Sequence, residues 1–312
     1  MRSFSRRTFI RSAAIAAGTI SLSGLNSCSG NQKRIFRYSL CSESVKEFSW
    51  AEQCAIIGKA GFDGVEIAPF TLVKEGVQEI TAAERKNMVR QMKDAGLSCP
   101  GLHWLFVAPP AGLHFTTPDP ELRQRSVDYL DRLIDFCGDM EGEVMVFGSP
   151  AQRGTTAGNS VGDAVNYFTE GLRKVADHAK DRKVSILIES LPKSQTDVVN
   201  TLGEAVDMAK KIGHPAVATM FDYHNSTDET EPLAGLVQKY IDQIRHVHVQ
   251  NMDGTMIKAE SIPDELLNII RTLKDLDYKG WISAEIFDFS PGGKTIAEET
   301  MRMFRELERS VG

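Results

Sequence analysis

The chain has 312 residues, 42% hydrophobic and 25% charged, with 25 glycines, a globular composition that excludes a disordered, collagen-like or coiled-coil chain. Lysine and arginine total 36 against 42 aspartates and glutamates, a formal charge of -6, which speaks against a nonspecific nucleic-acid binder, because such proteins carry a basic excess. The expected partner is a small molecule, and the sequence leaves self-association into a homo-oligomer open.

Residues 1–27 hold Arg2, Arg6, Arg7 and Arg11 and no acid, and the last arginine precedes a weakly apolar, small-residue run over 13–20. A basic segment followed by so short an apolar one makes a secretory signal, too short to span a bilayer core of ~30 Å. The alternative is an amphipathic N-terminal helix of the folded domain. Ser5-Arg6-Arg7-Thr8-Phe9-Ile10 resembles the twin-arginine export motif, a route that carries folded proteins, often with a cofactor loaded. Leu25-Asn26-Ser27-Cys28 resembles a lipoprotein box, with Cys28 as the lipid anchor; ordinary cleavage nearby is the other reading. Either way the protein is expected to be exported, as a periplasmic protein or a membrane-anchored lipoprotein. Residues 28–35 read as a linker and 36–312 as one catalytic domain. Removing 1–27 leaves a chain four charges more acidic than the whole.

The remaining cysteines, Cys41, Cys54, Cys99 and Cys137, show no CxxC spacing and read as small buried hydrophobes.

From residue 37 onward, short β-rich apolar runs alternate with longer amphipathic ones, the signature of βα units around a parallel sheet. Strands are expected at 38–41, 64–67, 98–102, 144–147, 185–188, 218–221, 246–249 and 282–286. Helices are expected at 49–60, 82–95, 123–137, 162–178, 201–212, 233–240, 263–276 and 295–307. Eight such repeats match an α/β fold of the (β/α)8 TIM barrel type. A doubly wound sheet is the runner-up, but no GxGxxG opens the first helix and no GxxxxGK[ST] occurs. Ser290-Pro291-Gly292-Gly293-Lys294 reads as a turn. The longest connection, 103–119, carries Trp104, Phe106, Pro109, Pro110, His114 and Phe115. It reads as a lid over the barrel mouth whose aromatics either stack on a sugar or pack the loop down.

Barrel active sites lie at the C-terminal strand ends, so the polar residues closing each apolar run carry the chemistry. Ile186-Leu187-Ile188-Glu189, Met220-Phe221-Asp222 and Ser283-Ala284-Glu285 each end in a carboxylate, and His246-Val247-His248 forms strand seven. Three acids converging on one mouth repel unless a cation compensates. Glu, Asp, His and Glu suit a divalent metal, Mn²⁺ first, with Mg²⁺, Co²⁺ or Zn²⁺ as further candidates. His246 and His248 share a strand face; His248, nearer the mouth, is assigned to the metal and His246 to the core. His224 and His103 are expected to contact substrate, and Trp104 to stack on it. Glu43 and Glu66 either bind hydroxyls or form salt bridges at the surface or the barrel bottom.

Gly61-Phe62-Asp63-Gly64-Val65-Glu66-Ile67, Ile188-Glu189, Phe221-Asp222-Tyr223-His224, His246-Val247-His248 and Ala284-Glu285 together resemble the xylose isomerase-like TIM barrels. This sugar phosphate isomerase and epimerase group includes tagatose 3-epimerase and hydroxypyruvate isomerase. The resemblance covers essentially the whole chain after the signal. It implies that Glu189, Asp222, His248 and Glu285 bind one metal and that Glu189 and Glu285 also move protons. It departs in two places: the epimerases place a histidine three after the strand-six aspartate, where His224 stands only two after Asp222, and an arginine six after the strand-seven histidine, where this chain has Gly254. Lys193 or Lys258 would then replace the arginine.

The implied activity is metal-dependent isomerisation or epimerisation of a keto sugar or related carbohydrate. A metal on both oxygens of an α-hydroxy ketone stabilises the enediolate while a glutamate takes the proton. Two glutamates on opposite faces permit epimerisation; one serving both steps gives aldose-ketose isomerisation. The same residues beside a leaving group give elimination, so a lyase or dehydratase on an oxidised sugar or keto-glycoside is the rival reading. A non-enzymatic carbohydrate-binding lipoprotein is the third. Endonuclease IV shares the barrel but supplies an Asp-x-His pair where Asp253 is followed by Gly254 and Thr255, and the acidic charge also opposes DNA repair.

Overall fold

Runs rich in valine, isoleucine and phenylalanine become strands here because both of their faces are covered. They are β1 (Arg37–Cys41), β2 (Gly64–Glu66), β3 (Gly101–Leu102), β4 (Val144–Phe147), β5 (Ser185–Ile188), β6 (Val217–Asp222), β7 (Ile244–Val249) and β8 (Trp281–Ala284). The structure, a computed structural model, describes residues 34–107 and 111–312. The signal over 1–27, Cys28, most of the 28–35 linker and the loop residues Pro109 and Pro110 lie outside the described residues. Among the described residues no helix is long and apolar enough to cross a membrane.

The strands pair in parallel in the order β2-β1-β8-β7-β6-β5-β4-β3, and isolated bridges at Gly64–Ser98 and Ile67–Leu102 join β2 to β3. Because β1 pairs with both β2 and β8, the sheet curls into the expected (β/α)8 barrel and the doubly wound alternative falls. The helices α1 (Trp50–Ala60), α2 (Ala82–Asp94), α3 (Pro120–Asp139), α4 (Val161–Asp181), α5 (Leu202–Ile212), α6 (Leu233–Tyr240), α7 (Asp264–Asp275) and α8 (Gly293–Val311) alternate with the strands. Ser49 with Glu52, Thr81 with Glu84, and Ser160 with Asp163 form capping boxes that start three of them.

Two boundaries differ from expectation. β3 is a two-residue ladder rather than 98–102 because Pro100 has no N–H to give; its carbonyl instead accepts from Glu143 and Val144. α3 begins three residues before 123, where Asp119 accepts from the Glu121 and Leu122 amides and Pro120 occupies the first turn.

Side-chain alternation divides the barrel interior into levels. On β4 to β6, Val144, Val146, Leu187, Ala218 and Met220 fill it with apolar side chains. On β7, β8 and β1 the same level holds His246, Ser283 and Ser39, linked by a Ser39–Ser283 hydroxyl contact and a 3.1 Å Ser283 Oγ to His246 Nε2 hydrogen bond. One pleat further on, the inward positions become Gly148, Glu189, Asp222, His248 and Glu285. Cys41, Cys54, Cys99 and Cys137 are free and buried.

The connection after β3 is anchored by its aromatics. Phe106 and Phe115 are buried, each 5.1 Å from the Phe147 ring, and Phe115 also abuts Phe168. Only Trp104 of this segment's described aromatics faces the mouth.

Candidate active site and metal centre

Glu189 follows β5, Asp222 and His248 belong to β6 and β7, and Glu285 follows β8. In each case the residue two positions earlier (Leu187, Met220, His246 or Ser283) lies one level deeper in the barrel, so period-two alternation alone aims all four into the mouth. Each offers one ligand atom, and these atoms lie within 4.8 Å of one another. All four side chains are buried, Glu189 the least so at 5% exposure. Above them opens a cleft of about 420 Å³ lined in part by Trp104, Leu191, Gln195, His224, Asn225 and Phe287.

Three carboxylates here share little countercharge. Burial, then Asp222 and Glu285, push the Glu189 carboxyl well above its ordinary range, and burial with Glu285 raises Asp222. Burial would also raise Glu285, but the charge and hydrogen bond of His248, with the charge of His103, together hold it low. Burial would lower His248, yet Glu66 and Glu285 raise it far above an ordinary histidine. Among the described residues no lysine or arginine is paired with the three carboxylates. A buried set of three oxygens and one nitrogen that its own protein leaves under-compensated fits a divalent cation in donor type and in charge.

Below the four sits a second layer. His248 contacts Glu285 Oε2 through Nδ1 and Glu66 Oε1 through Nε2, both at 3.1 Å. With Nε2–H donating to Glu66, Nδ1 is left as the ligand atom, the usual carboxylate-histidine-metal arrangement. Glu66 Oε2 also bonds His246 Nε2 at 2.8 Å. Against the opposing effect of burial, His246 and His248 draw Glu66 well below the ordinary carboxylate range. His103 Nε2 pairs with Glu43 Oε2 at 2.9 Å, and its Nδ1 lies 3.6 Å from Glu66.

These contacts bear on the substrate roles expected of Glu66 and His103. Glu66 and His103 are fully buried and line no part of the cleft; Glu66 bonds His246 and His248 and His103 Nε2 bonds Glu43 Oε2, so Glu43 and Glu66 make buried salt bridges, while His103 Nδ1 and Glu43 Oε1 have no hydrogen-bond partner among the described residues. Lys193 lies away from the cleft. It is exposed, its backbone amide donates to Asp228, and neither it nor the exposed Lys258 lines the cleft. His224 and Trp104 do line it. His224 Nδ1 bonds the Asn251 carbonyl at 2.8 Å. Trp104, with left-handed backbone at φ 50°, stacks on Phe70 at 5.3 Å and lies 5.6 Å from Phe287.

Sequence reasoning missed Asn225, whose Nδ2 donates to Glu189 Oε1 at 2.9 Å and Asp222 Oδ2 at 2.6 Å while Oδ1 accepts from Gln195 at 3.0 Å. The signal was its place three after Asp222, where the resembled epimerases carry histidine. Phe287, two after Glu285, was missed as well; its amide donates to the Gly254 carbonyl, and a Cβ at Gly254 would stand 3.3 Å from Phe287 Cβ.

Residues 54–307 match the family model described as xylose isomerase-like TIM barrel. A probable ketose 3-epimerase of Synechocystis is 22% identical over 264 residues, 79% of this chain and 86% of that protein. A D-psicose 3-epimerase of Ruminiclostridium cellulolyticum is 24% identical over 238 residues, 74% of this chain and 76% of that protein. Among solved structures, the apo 3-keto-D-glucoside 4-epimerase of E. coli superimposes with a TM-score of 0.72 at 16% identity, covering 86% of this chain and 99% of that one; that likeness concerns the fold.

Proposed function

The chain belongs to the xylose isomerase-like TIM barrel family, and from that premise we propose that it is a divalent-metal-dependent sugar isomerase or epimerase acting on a keto sugar or a related carbohydrate. Its relatives are ketose 3-epimerases, which supports the coarse class. The observation that carries the reading is the pair Glu189 and Glu285. They sit in one four-residue set under one cleft, at strand ends separated by β6 and β7. Two carboxyls so placed provide one proton acceptor and one donor.

Glu189, Asp222, His248 and Glu285 would hold the cation, Mn²⁺ first by donor type. When bound, it supplies charge stabilisation that acidifies the C–H beside a sugar carbonyl. The remaining steps belong to the protein. The ionised glutamate takes the proton, and the other, reaching the sugar from the far side of the ring of strands, returns one. Asn225 holds Glu189 and Asp222 in register. His224 donates from Nδ1 to the Asn251 carbonyl, which leaves Nε2 to accept from a sugar hydroxyl. Trp104 and Phe287 wall the cleft with apolar ring surface.

No lysine or arginine is found among the described lining residues, which favours an uncharged sugar over a sugar phosphate. That agrees with the export proposed from residues 1–28, since exported proteins meet free sugars and glycosides. The test is to load the purified protein with Mn²⁺ and follow proton exchange in D₂O over ketoses, 3-keto sugars and glycosides. Exchange at the carbon next to the carbonyl is expected. Release of an aglycone in its place would turn the reading to elimination, and neither outcome with any candidate would overturn it.

A further inference from the structure

Where β4 ends, the chain turns through Gly148-Ser149-Pro150 and then buries Arg153, which has no exposed surface. Its guanidinium bonds no carboxylate. Nη1 donates to the carbonyl oxygens of Phe147 at 3.0 Å and Glu189 at 2.6 Å, Nη2 to that of Val199 at 3.4 Å, and the buried Nε has no partner among the described residues. A buried cation hydrogen-bonded to no anion is strongly disfavoured, and the attraction of the Glu189 charge offsets only part of the cost of its burial, so its retention asks for a reason. Phe147 and Glu189 end neighbouring strands, and Arg153 ties them together where Glu189 leaves the barrel.

The flanks of this tie are strained. Ser149 and Val199 both adopt left-handed backbone, at φ 45° and 62°, a region that L-residues avoid and β-branched ones most of all. Such strain persists where the surroundings over-determine it, and it concentrates at functional sites. Gly148, the residue between the strand end and Ser149, has no side chain where one would matter, because a Cβ there would collide with Glu189 Oε2. The Glu189 carboxylate is thus confined by Gly148 on one side and by the Asn225 amide on the other, while Arg153 pins its backbone carbonyl.

We propose that Gly148 and Arg153 form a socket that sets the position of the Glu189 carboxylate, Arg153 acting as a positioning residue through the main chain. The inference rests on the reading above, in which Glu189 is both ligand and proton carrier. Three variants test it: Gly148→Ala, which removes no hydrogen bond and only adds a methyl against Glu189; Arg153→Met, which removes the donors; and Arg153→Lys, which restores part of them. Mn²⁺ affinity is read by calorimetry, kcat by proton exchange, and folding by the melting temperature of the metal-free protein. Gly148→Ala and Arg153→Met are expected to weaken Mn²⁺ binding and lower kcat by about 10- to 100-fold, the usual effect of disturbing the supports of a ligand, with Arg153→Lys between them and wild type.

Wild-type Mn²⁺ affinity and kcat in Gly148→Ala, with any loss in Arg153→Met confined to the melting temperature, would overturn the socket. Should Arg153→Met fail to fold, Gly148→Ala decides alone. Glu189→Gln separates this inference from its premise. If that variant binds Mn²⁺ as wild type does, the metal reading itself fails; if it binds weakly while Gly148→Ala binds normally, the socket alone fails.

Discussion

The molecule gathers acids and histidines twice, with opposite consequences. Between α3 and α4, His178 meets Asp131 and Asp135 at 2.6 and 3.1 Å, and Asp139 meets Arg182 and Arg85 at 2.5 and 2.9 Å. There each charge has a partner or water, and the cluster is an ordinary solvated surface. At the barrel mouth Glu189, Asp222, Glu285 and His248 are buried, water cannot dissipate their repulsion, and the protein supplies too few positive charges. The same residue types therefore make a surface network in one place and an ion site in the other. Burial decides between them.

The sharpest way to break this contrast is to neutralise the buried glutamates. Glu189→Gln and Glu285→Gln are each expected to lower proton exchange by about 10²- to 10⁴-fold, the range of a lost acid or base; metal-free Glu189→Gln melts no lower than wild type because a repulsion has gone, whereas metal-free Glu285→Gln melts lower because His248 loses its partner. Retained exchange in both variants would count against the mechanism.

Cation removal and pH come next. The Glu189 and Asp222 carboxyls are raised on folding, so the folded form binds protons more tightly than the unfolded one. Their penalty is absent below the unfolded carboxyl range and grows as pH rises through the interval up to the folded values. Glu66 and Glu285, held low, act in the opposite direction, so the effect is read against Glu189→Gln, which keeps both: chelator-treated wild type should lose melting temperature relative to that variant as pH climbs from acid toward neutral, and Mn²⁺ should restore it, by about 2.7 kcal/mol at a hundredfold excess over Kd. Chelated wild type whose melting temperature tracks that of Glu189→Gln across this range would remove the contrast with the surface cluster.

Glu66→Gln is expected to weaken Mn²⁺ binding by about 10- to 100-fold through His248, measured by calorimetry. His178→Asn should do least, costing about 0.2–1 kcal/mol of stability, diminished by salt, with exchange activity unchanged. Neighbouring Asp131 and Asp135 raise His178 against a smaller-than-summed burial effect, so its contribution is present below the unfolded histidine range and fades as pH rises through the folded value.

The strand ends were legible in the sequence because a period of two is a geometric fact: once Ile188, Phe221 and Ala284 are placed on the outer face, Glu189, Asp222 and Glu285 must face inward. Depth was not legible. Glu66 and His103 also end strands and also face inward, but whether such a group meets substrate or a neighbouring histidine depends on how far across the barrel its partners reach, which no local pattern encodes. Asn225 and Gln195 escaped notice because an amide has no charge to announce it, and Arg153 because a basic residue in a polar loop reads as surface until the carbonyls around it are seen. The helix start at Asp119-Pro120 could have been read from the sequence, since an acid followed by proline is a cap signal.

Of the three tryptophans in the chain, Trp50 and Trp281 are buried, with their indole N–H groups given to the Met88 carbonyl and the Glu143 carboxylate. Trp104 alone stands half-exposed at the cleft, between Phe70 and Phe287. The protein thus carries its own optical probe: two tryptophans emit a constant background, and the third changes colour and intensity when a ligand displaces water from its ring, so occupancy of the cleft can be titrated by emission without a label and without turnover.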